Sequence, residues 1–210
     1  MADPYAPAAK RNHHDTNAFF MQHTGSFSRI VIVFNADAGQ LLAVPAALGA
    51  DRDGYYWKVC PLNYSGIIEV ESIIDGTIIN FYDAPRFKVK HTYMTANEKL
   101  AADGCYVEVA TRENHLHVGC GCRIEAYADG KQILGKRMIS RFGEQSVEFG
   151  DIHVEEGKEV EIVKYVSMYT ERECPAYALH TTIEKEIEGF VETGFDQELK
   201  AHEDVYKNRS

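Results

Sequence analysis

The sequence predicts a mainly β fold, an antiparallel β-sandwich followed by two C-terminal helices. Three observations carry the prediction. Short β-branched and aromatic runs recur from Ala18 onward, separated by turn residues. No stretch with helical period stands between them, which argues against βαβ units. After Cys174-Pro175 the texture changes, and apolar residues fall at steps of three and four.

Residues 1–17 are polar, rich in Pro and Ala and without period, and are expected to form a flexible tail. The sandwich is expected over 18–172 and a helical linker over 173–210. Arg29–Phe34 is a β-branched run closed by the turn-forming Asn35-Ala-Asp-Ala-Gly39. Tyr55–Cys60 is aromatic and β-prone. Ile67–Ile74 runs to Asp75-Gly76, a hairpin signal that predicts a return strand over Thr77–Tyr82. Cys105–Thr111 alternates as a half-buried strand does. His115–Tyr127, interrupted by Gly119 and Gly121, leads to a turn at Asp129-Gly130. Gln145–Val154 and Lys158–Tyr169 are two further strands around Glu155-Glu156-Gly157.

In the last segment Leu179, Ile183, Ile187 and Phe190 make one helical stripe, with Gly194 as its stop. Phe195, Leu199, His202 and Tyr206 make a second, with Asp196 near its positive end. Both stripes are expected to dock against a further domain, because a helix pair with so little core of its own usually leads into something.

Bulk properties narrow the function classes. The 210 residues carry a formal charge of -10, which repels phosphate backbones and anionic lipid, so neither nucleic acid nor membrane is an expected partner. The longest apolar runs, such as Leu41–Leu48, are too short to span a bilayer, and the start lacks a secretory apolar core. A cytoplasmic location follows as the default. The 5 cysteines are expected as free thiols.

Candidate chemistry is sparse. His115, His117, Cys120 and Cys122 are the ligand types zinc prefers, but strand alternation puts the imidazoles on one face and the thiols on the other. No metal site and no cofactor is therefore expected. No Gly-x-Ser-x-Gly elbow, P-loop or His-Glu-x-x-His motif occurs. The carboxylate pairs Glu69/Glu71 and Glu155/Glu156 and the run Glu184/Glu186/Glu188 are expected on solvated faces. Tyr55, Tyr56 and Trp57 are the candidate carbohydrate-binding residues, since aromatic faces stack on sugar rings; core packing is the competing account. No residue is assigned as catalytic.

Three stretches go further. Val59-Cys-Pro-Leu-Asn-Tyr-Ser-Gly-Ile-Ile-Glu-Val-Glu-Ser-Ile-Ile-Asp-Gly-Thr-Ile-Ile-Asn80 resembles a hairpin of the amino-terminal domain of glycoside hydrolase family 65. Residues 157–173 resemble that family's "K-[IYV]-V-x-[VM]-Y-T-S-R-D" strand, and 194–209 its "G-[FY]-D-x-L-x-x-x-H-x-x-x-W" linker helix, with Tyr206 where a Trp is usual. The matches keep the family's order and spacing. The resemblance implies a galactose mutarotase-like super-sandwich from the maltose, trehalose, kojibiose and nigerose phosphorylases, which cleave α-linked glucosyl disaccharides with phosphate and invert the anomeric centre. Their catalytic groups lie in an (α/α)6 barrel after the linker, so none maps onto this chain. The barrel is the implied domain partner and carbohydrate the parent protein's ligand. Residues 18–56 match less, and an incomplete sandwich would expose an edge and favour homo-oligomers.

Two other readings compete. One is a free-standing carbohydrate-binding module built on Trp57 and its neighbours. The other is a mutarotase-like epimerase using His115 or His117 with Glu108 or Glu125 as acid and base.

Overall fold

A computed structural model describes residues 16–21, 28–35, 41–48, 52–77 and 92–207, with side chains described for 54–77, 92–201 and 204. Two antiparallel sheets form a sandwich. The first holds β1 (Thr16–Met21), β2 (Ser28–Asn35), β5 (Gly66–Asp75), β11 (Gln145–Val154) and β10 (Leu134–Phe142), in the order β1-β2-β5-β11-β10. The second holds β3 (Leu41–Leu48), β4 (Arg52–Pro61), β12 (Val160–Thr170), β8 (His117–Ala128), β7 (Cys105–Thr111) and β6 (Thr92–Lys99), in the order β3-β4-β12-β8-β7-β6. The short β9 (Lys131–Gln132) pairs with the end of β8. The β8–β9 turn is Asp129-Gly130, with φ of 49° and 72°, the double positive-φ pair of a tight type I′ turn.

Alternation decides which residues meet. On β12, Val160, Ile162 and Val166 face the first sheet, while Val163 and Tyr165 face outward. The inward residues join Trp57, Val59, Ile68, Val70, Ile124 and Ile152 in the inter-sheet core. The outward ones receive α1 (Leu179–Thr193), whose stripe of Leu179, Ile183, Ile187 and Phe190 is buried on the second sheet. A 3-10 turn, Ala176–Ala178, leads into α1, and Gly194 at φ 81° ends it before α2 (Phe195–Lys207).

The structure corrects several expectations. The α1 stripe is not held open for a neighbour; it completes the outer layer of this sandwich. Gly119 and Gly121 do not interrupt their strand but give the helix its seat. A Cβ on Gly121 would overlap Ile183 Cγ2, and one on Gly119 would lie 2.9 Å from Ile183 Cδ1. Both edges of β5 are occupied, by β2 and β11, so Asp75-Gly76 is not the tip of a β5 hairpin. Instead Gly76 N–H donates to Glu144 O at 2.9 Å. The return strand read over 77–82 lies, beyond Thr77, outside the described residues, as does most of the predicted tail; β1 already begins at Thr16. Strands β6, β9 and β10 were not anticipated, being polar and weakly alternating in sequence. Among the described residues no helix is long and apolar enough to cross a membrane.

Candidate functional site

The aromatic triplet on β4 divides by alternation. Trp57 is 2% exposed and Tyr55 7%, both within the inter-sheet core, with ring centroids 6.1 Å apart. A ring closed in on both faces offers nothing to a sugar, so Trp57 and Tyr55 are not a binding platform. Tyr56 points the other way. Its ring stacks on Phe195 at 5.2 Å and 21°.

That outward face carries a groove of about 360 Å³ between the second sheet and the α1–α2 corner. Tyr56, Tyr127, Tyr165 and Phe195 contribute its aromatic walls, and Glu161, Asp196 and Gln197 its polar groups. Burial and the hydrogen bond to the Glu161 carboxylate push the Tyr56 hydroxyl well above its usual range, so it stays a donor. Tyr165, raised chiefly by burial, shares a hydrogen bond with Tyr127. A second groove, of about 190 Å³, lies over the β8–β9 turn and the start of β12, lined by His153, Glu155 and Lys158 among others.

His117 and the two thiols of β8 separate as strand parity requires. Cys120 and Cys122 lie in the inter-sheet core, where Cys105 faces Cys122 directly across the β7–β8 ladder. The Cys122 hydrogen bond and burial push the Cys105 thiol up. His115 is off the strand, at φ 52°, with its Nδ1 3.1 Å from the Tyr93 hydroxyl. All five cysteines are free, and among the described residues no cluster of His, Cys, Asp and Glu has metal-site geometry.

One acid–imidazole pair does form. His117 Nδ1 lies 2.7 Å from Glu108 Oε1, while Tyr106 and Thr95 hydroxyls donate to the same carboxylate at 2.6 and 2.8 Å. Burial works against the Glu108 charge, but these donors hold its carboxyl below the usual range. A carboxylate so fully engaged orients its neighbours and is a poor proton acceptor. Neither described groove is lined by this pair. Glu125 lies elsewhere, in a charge network at the sandwich edge. Arg137 on β10 reaches Glu125 of the opposite sheet at 2.6 Å and Glu148 at 2.9 Å, and Arg123 adds a contact to Glu125 at 2.5 Å. This network bridges the sheets; it presents no free acid and base converging on a cleft.

A profile described as "Glycosyl hydrolase family 65, N-terminal domain" matches residues 54–209. The chain belongs to this family. The matched region runs from β4 through α2. A kojibiose phosphorylase of Thermoanaerobacter brockii is 37% identical over 153 residues, 71% of this chain and 20% of the relative. A kojibiose phosphorylase of Caldanaerobacter subterraneus subsp. tengcongensis is 32% identical over 155 residues, 72% of this chain and again 20% of the relative. The chain thus spans about a fifth of the length of these curated relatives. A solved structure provisionally described as a kojibiose phosphorylase, from the human microbiome, superposes on 91% of the chain with a TM-score of 0.61 at 12% identity, covering 23% of that protein. At that identity the likeness establishes the fold.

Of the residues that line this groove, the sequence singled out Tyr56 as a carbohydrate candidate and gave no such role to Tyr127, Phe195, Glu161, Asp196 or Gln197. Outward parity on β8 and β12 could have flagged Tyr127 and Glu161. Nothing in the sequence alone brings the first turn of α2 against them.

Proposed function

We propose that this chain is the non-catalytic N-terminal part of a family 65-type disaccharide phosphorylase, with β1 to β12 as the sandwich, α1 packed on it and α2 leading toward an (α/α)6 barrel. The parent reaction is inverting phosphorolysis of an α-glucosyl disaccharide. A general acid protonates the leaving glycosidic oxygen as the C1–O bond breaks, while phosphate oxygen bonds C1 from the opposite face, without a covalent intermediate. The observation that carries this reading is identity to kojibiose phosphorylases across some 70% of the chain, in a region where the candidate acid–base groups His117, Glu108 and Glu125 are tied into structural contacts. The test incubates the purified chain, and in parallel a chain joined to a family barrel, with phosphate and kojibiose, maltose, trehalose or nigerose. Glucose 1-phosphate is expected from the joined protein alone. Its release by the 210-residue chain would overturn the non-catalytic role.

A further inference from the structure

We propose that the groove between the α1–α2 corner and the outer face of the second sheet is a binding subsite for a neutral pyranoside. Its volume, about 360 Å³, falls at the lower end of small-molecule pockets, which run to about 1,000 Å³. The lining alternates in a way that suits a sugar. A pyranose has a C–H face that packs on aromatic rings and a rim of hydroxyls that need donors and acceptors. Tyr56 and Tyr127, both part-exposed, offer the rings; the buried Phe195 backs Tyr56 through their stack, and Val191 adds to the apolar part. The Glu161 and Asp196 carboxylates accept, and the Gln197 amide both donates and accepts.

Charge selects within the sugars. Among the described residues no Lys or Arg lines the groove, and two carboxylates do. Lys58, the cross-strand neighbour of Glu161, is 3.4 Å from Glu159 and so engaged elsewhere. A phosphate ester would meet uncompensated negative charge, so sugar phosphates are excluded and neutral glycosides accepted. The groove is shallow and presents few polar groups, so a dissociation constant on the order of 1–10 mM is expected. Pyranosides follow from the lining itself; the preference for α-glucosides rests on the reading in the preceding subsection.

The test is a chemical-shift titration of the isotope-labelled chain with maltose, lactose and glucose 1-phosphate, each taken to about 100 mM. Saturable shifts at Tyr56, Tyr127 and 193–197 are expected with maltose, and none there with glucose 1-phosphate. Tyr56→Ala should abolish them. Because Tyr56 also stacks on Phe195, Glu161→Gln and Gln197→Ala serve as variants that leave that packing intact; each should weaken binding about 3- to 10-fold. The proposal fails if neither disaccharide gives saturable shifts in the groove. It fails equally if glucose 1-phosphate binds there as tightly as maltose, or if both polar variants leave affinity unchanged. Lactose binding as well as maltose would uphold the subsite and count against its link to α-glucoside metabolism. Absence of any binding would leave phosphorolysis by the joined protein untouched.

Discussion

Adding one methyl group at Gly121 tests the seat of the helix. Gly121 has no positive φ, so Ala is compatible with its backbone and the effect is purely steric. The new Cβ would overlap Ile183 Cγ2 and lie 3.0 Å from Ile187 Cδ1, whereas carbon atoms pack at about 3.5–4.0 Å. Relief requires α1 to lift by roughly an ångström or Ile183 to leave its rotamer, and such overpacking costs about 1–3 kcal/mol. For a chain of this size each kcal/mol moves the midpoint by about 2–4 °C, so Gly121→Ala should melt about 4–8 °C lower at the middle of that range.

Two companions make the reasoning refutable. Gly189→Ala lies on α1, where an added Cβ meets nothing within 4 Å, and should stabilise by up to about 1 kcal/mol through helix propensity. Ile183→Ala alone should cost about 2–5 kcal/mol as a cavity. Combined with Gly121→Ala it removes the atom that clashes, so the pair should cost at least about 1 kcal/mol less than the sum. Strict additivity in urea denaturation, or a Gly121→Ala chain as stable as the parent, would mean that α1 does not sit on β8.

Further outcomes follow from the core. Burial pushes the Glu148 carboxyl up to about 8, against the opposing pull of Arg137. The native state therefore holds this proton where the unfolded chain has lost it, and the Glu148 contribution is full below the ordinary carboxylate pKa and lost as pH rises toward 8. Glu148→Gln should flatten the fall in stability between about pH 5 and 8, and an unchanged slope in the variant would contradict the shift. Arg137→Ala removes the one guanidinium that contacts both Glu125 and Glu148; Glu125 keeps Arg123 and Glu148 holds its proton near neutral pH, so the loss is that of buried hydrogen bonds and should be about 1–3 kcal/mol in denaturant titrations, while no measurable loss would deny the bridge between sheets. Trp57, at 2% exposure, should emit to the blue, resist acrylamide quenching and ignore maltose; strong quenching of the folded chain would place it at the surface. Gly194→Ala, at φ 81° and ψ 154°, should cost about 1–3 kcal/mol by thermal melt, and a neutral result would rule out that backbone conformation.

Much of the fold was legible because burial imposes period. The strand read as Gln145–Val154 matches β11 residue for residue, and the α1 stripe is the buried face of that helix. What escaped was set by partners distant in sequence. Strand β10 carries Lys136, Arg137 and Arg141 among its apolar residues, and only its pairing with β11 makes it a strand. Gly119 and Gly121 look like breaks until Ile183 is placed over them. The candidate site shows the same divide. Parity alone sends Tyr56 to the face opposite Trp57, so the aromatic triplet could not act as one surface. That Tyr56 meets Phe195, 139 positions later, depends on where α1 ends.

The fit of Gly119 and Gly121 under Ile183 also fixes the role of α1 in this chain. Had the α1 stripe been open, the sandwich and whatever it joins would have shared one core through that helix. Instead α1 is committed to the sandwich, held further by the Glu184 carboxylate, which accepts a hydrogen bond from Ala101 N–H. Commitment stops at Gly194. On α2 only Phe195 is buried among its described side chains, with Leu199 partly so. The buried contacts between the helix pair and the sandwich therefore reach to the first turn of α2. The groove sits at that junction, with Tyr56 and Glu161 on the sheet side and Asp196 and Gln197 on the helix side. A ligand bridging those two sides gains only from the arrangement in which they face each other, so occupancy would favour the docked position of α2 by its differential affinity and no more.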